Sequence, residues 1–430
     1  MSLRQRVLGN SAWQISEKTI RAVVGLFVGI WVARYLGSSQ FGLLNFCIAY
    51  VALFAFMAEL GLQTIVVREI VRRPSERSTI VASALVLKFA GAIVAIALSA
   101  GTVHFLRSDV SAMQVVAVLG LALLPQAWDV IDYSYQAEMH GRPIALIRTV
   151  SLLAFAAARV FLILDDARLI WFAWVVVGEA ALSAVLMFVL YRVRNPVRGS
   201  LQISLSEMKR LMTDAWPMAI ASLSVVLYMR IDQVMLGYML DDHSVGVFSA
   251  AVRVSEAWYF IPMAFLASVA PALTAAYTAS HSDYEHKLRM FIRAMLGLGI
   301  AAAFGLVLFS DLIISLLYGP EYRESATVLR LHGWAGVFVS LGLAAGPWFV
   351  NANLLKIRMI HTLLGAACNV GLNLLLIPRW GVTGAALSTV VSYSIAAVWL
   401  NALSCRTRPL FWLQATSLLY RRPKPSLGLR

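Results

Sequence analysis

The sequence predicts an all-helical integral membrane protein of about twelve spans, and three observations carry that prediction. Apolar stretches long enough to cross a bilayer recur every 30 to 35 residues from about Ala12 to about Leu403, with almost nothing between them. A helix needs roughly 20 apolar residues to cover a ~30 Å hydrocarbon layer. Of the 430 residues, 60% are hydrophobic and 13% charged, against about 25% charged in soluble domains. The positive charge is also one-sided, as described below.

The spans read 12–35, 41–67, 79–106, 113–136, 143–164 and 169–191 in the first half. In the second half they read 215–240, 245–274, 294–317, 326–350, 359–378 and 380–403. The narrowest division is the last, where only Pro378, Arg379 and Trp380 mark the turn. The widest is Arg192–Asp214, which separates six spans from six. The expected organisation is therefore a six-helix lobe over 1–200, an interfacial linker over 201–214, a second six-helix lobe over 215–405 and a basic tail over 406–430.

Of the 36 Lys and Arg, 24 fall before the first span, in alternate loops and in the tail, and 5 fall in the opposite loops at Arg34, Arg107, Arg168, Arg323 and Arg379. Positive residues stay in the cytoplasm during insertion, so both termini are expected there. The net charge of +14 is then topology and not a nucleic-acid footprint. Cys47, Cys368 and Cys405 fall in two separate spans and the tail, with neither disulfide nor metal-ligand spacing. The start, with Glu17, Lys18 and Arg21 inside the first long span, is a poor cleavable signal peptide and is expected to be retained.

In the widest break, Ser204-Leu205-Ser206-Glu207 fits a capping box. Leu205, Met208, Leu211 and Met212 follow on one face beside Lys209 and Arg210, the pattern of a short helix lying among headgroups or of an ordinary connector. The tail from Pro409 is expected on the inner leaflet. Weak repeats relate the halves. Ala12-Trp13 matches Ala215-Trp216, Phe41-Gly42 matches Val245-Gly246, and Ile147-Arg148 matches Ile357-Arg358. Parallel repeats of this kind place a transport path between them.

Function must come from charge inside the spans. Lys18, Arg21, Lys88, Arg159, Arg230, Arg253 and Arg330 lie there with Glu17, Glu59, Asp129, Asp132, Glu179, Asp232, Glu256 and Asp311. A mid-membrane charge costs about 2.5–3.5 kcal/mol even on the lenient insertion scale, so these groups snorkel, pair or line water. Asn10, Gln14, Glu17, Arg21 and Gly25 stack on one helical face. They form either an intrahelical Glu17–Arg21 pair or a wall of a wet cavity. Arg148 and Arg159 share a face about 16 Å apart in height, Arg148 at the cytoplasmic mouth. Asp129 is the protonatable candidate beside the more solvated Asp132. Arg230 and Asp232 point in different directions, so Arg230 is expected in the cavity and Asp232 in a structural pair with Arg253, which shares its face with Glu256. The expected cationic cavity is thus Arg21, Lys88, Arg159, Arg230 and Arg148. The ion-coupling candidates are Glu17 and Asp129, then Glu59 and Glu179.

Several short blocks then resemble a known family. They include Val32-Ala33-Arg34-Tyr35-Leu36-Gly37 with Phe41-Gly42, Glu59-Leu60-Gly61-Leu62 and Arg68-Glu69. The most specific runs from Arg230-Ile231-Asp232 through Leu236-Gly237 and Val245-Gly246 to Arg253 and Glu256. Leu317-Tyr318-Gly319-Pro320 and Ile377-Pro378 with Gly381 to Ala386 follow. Over nearly its full length the chain resembles the Wzx-type flippases of lipid-linked oligosaccharides, in the superfamily of multidrug and toxin extrusion antiporters and lipid II flippases. The resemblance implies two six-helix lobes, a cationic central cavity and alternating access. The implied cargo is a polyprenyl-diphosphate-linked glycan repeat unit, turned to the periplasmic leaflet of a bacterial inner membrane for O-antigen, capsule or exopolysaccharide. The implied partners are membrane lipids, an H+ or Na+ gradient, a polysaccharide polymerase and a chain-length regulator.

Other classes fit less well. No Gly-rich phosphate loop, HExxH or Cys/His cluster is present, so neither an ATPase site, a metal nor a cofactor is expected. A glycan polymerase would expose a long external loop, whereas these loops run to only a few residues. An enzyme is therefore not expected. A small-cation or drug antiporter is the competing reading, and it would want an acidic, aromatic cavity.

Overall fold

Two glycines decide where the longest apolar runs bend. In the computed structural model, which describes residues 3–194 and 202–417, the first helix α1 (Leu3–Glu59) leaves helical geometry at Gly37, with φ 70° and ψ 170°. Helix α15 (Leu355–Ser394) does so at Gly381, with φ 55° and ψ −134°. Side chains lacking a Cβ adopt positive φ at little steric cost, so each long run turns without a loop. The sequence places the second of these turns at Pro378–Trp380, and the backbone breaks just after it.

Between α1 and α15 the chain is helical nearly throughout, with no strand among the described residues. The helices in order are α2 (Leu62–Arg72), α3 (Arg77–Leu106), α4 (Val110–Leu121), α5 (Leu123–Gln126), α6 (Val130–Ala137), α7 (Arg142–Leu164), α8 (Leu169–Arg194) and α9 (Leu205–Met239). Then come α10 (Asp242–Glu256), α11 (Phe260–Ala279), α12 (His281–Leu317), α13 (Ser325–His332), α14 (Ala335–Asn351) and, after α15, α16 (Leu400–Leu403) and α17 (Arg408–Ala415). Ten described segments are long and apolar enough to cross a bilayer. In lipid every backbone group must be satisfied within the segment, which helices alone achieve here. The first and last of these segments, Ser16–Arg72 and Leu355–Leu403, run to 57 and 49 residues, far beyond one crossing at 1.5 Å per residue.

The chain divides into two compact units, Met1–Gly246 and Val247–Arg430. In the first, α1 packs on α3, α7 and α9. Its apolar core joins Leu62, Ile65 and Val66 of α2 to Ile80 and Ala84 of α3 and to Leu211 and Ala215 of α9. Most of the segment expected as a separate linker at 201–214, from Leu205 on, is thus the first part of a continuous 35-residue helix. Leu211 is fully buried while Leu205 stays exposed, so only one of the predicted apolar side chains anchors it. Ser204 Oγ accepts from the Glu207 N–H at 3.3 Å as predicted. The Glu207 carboxylate does not close the box; it turns to Arg73, at 2.6 and 3.0 Å.

In the second unit, α12 packs on α11, α13 and α14. The tail expected on the leaflet is partly folded into this unit. Leu410 and Leu413 of α17 join the core of Leu288, Ile292 and Phe349. Gln414 Nε2 and Asn401 Nδ2 both donate to the Ala397 carbonyl, at 3.1 and 2.9 Å. That carbonyl lies in a single π turn, Ile395–Trp399, where widening the helix frees backbone acceptors. Residues 418–430 and the Asn10 and Gln14 side chains of the predicted stripe lie outside the described residues.

Within the first unit the repeat-related glycines meet. A Cβ on Gly42 would overlap the Asp242 carbonyl and come within 2.7 Å of the Gly246 nitrogen, and one on Gly246 would overlap the Ser38 carbonyl. Backbone cannot retreat as a side chain can. Gly42→Ala should cost about 1–3 kcal/mol of overpacking and lower the yield of monodisperse protein after detergent extraction. Gly101→Ala, with nothing within 4 Å, is the control, and equal yields would refute the close crossing.

Candidate functional site

Most of the charged side chains singled out in the first unit fall into two ion-pair groups. Glu17 and Arg21, one helical turn apart on α1, pair at 2.8 Å, the local outcome that i, i+4 spacing favours. Arg21 also reaches Glu179 of α8 at 3.2 Å, and Glu179 holds Arg159 of α7 at 3.0 Å. Arg148, three turns before Arg159, is shared by Asp129 at 3.1 Å and Asp132 at 2.9 Å. Lys88 is 2% exposed. Its ammonium donates to the Tyr133 hydroxyl at 3.1 Å and lies 5.2 Å from that ring's centre.

A cavity of about 620 Å3 opens beside these groups, walled by α1, α2, α6, α7 and α9. Its charged lining is Glu17, Lys18, Glu59, Asp129, Asp132 and Arg148, four carboxylates against two cations. A smaller space of about 310 Å3 is lined by Arg21, Arg148, Asp129 and Glu179 among others. The predicted cationic cavity is therefore not what the first unit encloses. Arg21, Arg148 and Arg159 are each neutralised by carboxylates that the sequence assigns to ion coupling. Lys88 lies behind Tyr133, outside the lining, and Arg159 and Arg230 do not line the cavity either. The physical reason is economy of charge in an apolar bundle: a guanidinium that can reach a carboxylate does so rather than face a cavity alone.

The predicted residues fall into three groups. Glu17, Glu179, Asp129, Arg21, Arg148 and Arg159 are brought together. Glu59 lines the cavity, exposed to it, with no ion-pair partner among the described residues. Arg230 is half-buried on α9 with none either. Asp232 is 4% exposed and, like Arg253 and Glu256, is engaged in interactions of its own. In the second unit Arg330 pairs with Asp311 and its Nε donates to Ser310 Oγ at 2.8 Å. No group of three His, Cys, Asp or Glu among the described residues could hold a metal.

One cluster escaped the sequence reading. Glu69 on α2 is 1% exposed and accepts from Arg68 at 2.9 Å, Arg73 at 2.9 Å and Arg210 at 2.9 Å. Arg68 also binds Asp214, and Arg73 binds Glu76 and Glu207. The hydrogen bonds to Glu207 raise the Arg73 guanidinium above its ordinary value. A signal was present. Leu62, Ile65, Val66, Glu69 and Ile70 share one helical face, so a carboxylate sits on the apolar stripe of α2 amid a run of arginines.

Residues 7–277 match the family described as "Polysaccharide biosynthesis protein", and residues 217–375 match "MatE". A relative from Thermotoga maritima named "Probable lipid II flippase MurJ" is 28% identical over 242 residues, 54% of this chain and 48% of the relative. One from Haloferax volcanii, "Probable low-salt glycan biosynthesis flippase Agl15", is 24% identical over 42% of this chain and 38% of the relative. The chain thus spans less than half the length of these relatives, which are named as flippases and not as enzymes. Among solved structures, "Lipid II flippase MurJ, inward closed conformation" superposes with a TM-score of 0.74 at 15% identity, covering 96% of this chain and 91% of that one. At that identity the likeness shows the fold.

Proposed function

The chain belongs to the polysaccharide biosynthesis protein family, and from that premise we propose that it is a flippase of lipid-linked glycans. It carries a polyprenyl-diphosphate-linked repeat unit from the cytoplasmic to the outer leaflet of a bacterial inner membrane. The glycan serves O-antigen, capsule or exopolysaccharide assembly beside a polymerase and a chain-length regulator. Twelve crossings, in six-helix lobes over 1–200 and 215–405 with both termini cytoplasmic, complete the reading.

The observation that carries the transport part is the acid-rich cavity of the first unit. Carboxylates lining a space wide enough for water among bilayer-length helices can take up and release cations, which is what coupling to an H+ or Na+ gradient requires. Glu17 and Glu179 are committed to arginines, which leaves Glu59, without an ion-pair partner among the described residues, as the first coupling candidate, and Asp129, which shares Arg148 with Asp132, as the second. Glu59→Gln removes a charge without orphaning a partner. Asp129→Asn leaves Arg148 its bond to Asp132. Both variants should keep wild-type protein levels and lose tenfold or more of gradient-driven flipping, on the order of the 1.4 kcal/mol per decade that coupling must supply. The measurement is flipping of a labelled lipid-linked oligosaccharide in proteoliposomes under imposed pH or sodium gradients. Wild-type rates in both variants would remove the cavity from coupling, and a wild type that flips no such lipid would end the flippase reading.

A second reading draws on the same lining. A cation antiporter wants an acidic cavity, and the first unit has one. Efflux of a cationic dye from the same vesicles, in place of glycan flipping, would favour it.

A further inference from the structure

Arg148 and Arg358 hold matching places in the two halves, each after an isoleucine near the start of a long apolar helix. Their surroundings differ. Arg148 is shared between two aspartates. The Arg358 guanidinium, half-buried on α15, has no ion pair or hydrogen bond among the described residues.

Its helices cannot supply a counter-charge. Past Glu324 the sequence contains no Asp or Glu at all, so α13 to α17 carry cations only. The guanidinium leans on α14, where its Nη1 stands 3.1 Å from the place a Cβ would occupy on Gly346. One turn further along the same face, His361 is 8% exposed and its Nδ1 has no hydrogen-bond partner. The His361 ring meets Phe349 of α14 edge-on at 6.1 Å. A permanently charged group and an unsatisfied imidazole nitrogen thus share one seam of the α14–α15 pair. On the same turns of α15, Leu355, Ile360 and Leu364 are exposed.

Arginine does not neutralise itself by losing a proton, so a guanidinium this far withdrawn from water and without a carboxylate beside it offers its charge to an anion from outside the protein. Exposed apolar side chains beside it favour an anion carried on a lipid. The planar fork of donors matches two phosphate oxygens at once. Resting on the flippase reading above, we propose that Arg358, with His361 beside it, holds the diphosphate of the lipid-linked substrate on the second unit, the place that Arg148 gives up to Asp129 and Asp132.

The test is binding of a fluorescent short-chain prenyl diphosphate to the purified full chain in detergent. Competition is with phosphatidylglycerol and with inorganic diphosphate. Arg358→Ala should weaken binding roughly ten- to hundredfold, the range of one or two charge-assisted hydrogen bonds, and Arg358→Lys should recover part of it. Because the guanidinium has no protein partner, melting of Arg358→Ala should match or exceed wild type, whereas a purely structural arginine would lower it. Unchanged affinity in Arg358→Ala, or a wild type that does not bind the probe, overturns the proposal. Competition by phosphatidylglycerol as effective as that of the prenyl diphosphate also overturns it, since the anion is then a bulk headgroup. Wild-type protein that binds the probe yet flips no glycan sinks the transport reading and leaves this one standing.

Discussion

Glu69→Ala should be among the most destabilising single substitutions in the first unit, at about 3 kcal/mol, the lower end of the range for breaking a buried ion pair. The carboxylate is 1% exposed and serves Arg68, Arg73 and Arg210 together. Arg72 stands 3.8 Å away as well, so loss of the carboxylate leaves four guanidiniums near one another where one anion had held them. The lower end applies because Arg68 and Arg210 are 37% and 48% exposed and water screens part of the loss. Arg68 also keeps Asp214, and Arg73 keeps Glu207. The consequence reaches beyond α2, since these pairs tie it to the start of α9. Thermal melting of the detergent-purified chain measures the effect. A melting curve that superimposes on wild type would mean the cluster is solvated and adds nothing.

Glu179→Ala should come next, and it should exceed Arg159→Ala. One carboxylate of α8 serves Arg21 of α1 and Arg159 of α7. Without it Arg21 retains Glu17, but Arg159, 20% exposed, has no other carboxylate partner among the described residues and faces an apolar bundle. Breaking a buried pair on one side costs about 3–5 kcal/mol, and partial exposure places this one near the bottom of that range. Removing Arg159 instead leaves Glu179 paired with Arg21, so the smaller loss is expected there. The double variant Glu179→Ala with Arg159→Leu should regain about 1–3 kcal/mol of coupling relative to the summed singles. Strict additivity would show that the two groups do not interact in the folded protein. Surface-glycan output adds a functional measure: if Arg159→Ala leaves glycan undiminished, that arginine acts in packing and not in transport.

The helical bundle was legible because its signal is local. Runs of apolar residues mark helices long enough to cross a bilayer. The pair Glu17–Arg21 was equally legible, four residues apart on one helix. The partner that completes it, Glu179, is 158 residues away, and no spacing rule reaches that far. The remaining pairings of expected substrate arginines with expected coupling carboxylates were out of reach for the same reason. Those side chains were sorted by sign, while the folded chain sorts them by which helix faces meet. Arg358 lay in view only as the repeat of Arg148, and its lack of an anion emerged once the α14–α15 seam was assembled.

Hydrophobicity along the chain by itself determined a multi-pass helical membrane protein, while the glycines at which its longest helices break came from the backbone geometry. Lipid demands that each segment satisfy its own backbone, and that requirement is met residue by residue. Only the tertiary structure decided which charges are neutralised, that the first unit's cavity is acidic, that Glu69 gathers four arginines and that Arg358 finds no carboxylate among the described residues. Ion pairs form over about 3 Å between groups far apart in sequence. Their identity is therefore a property of packed surfaces and not of order along the chain.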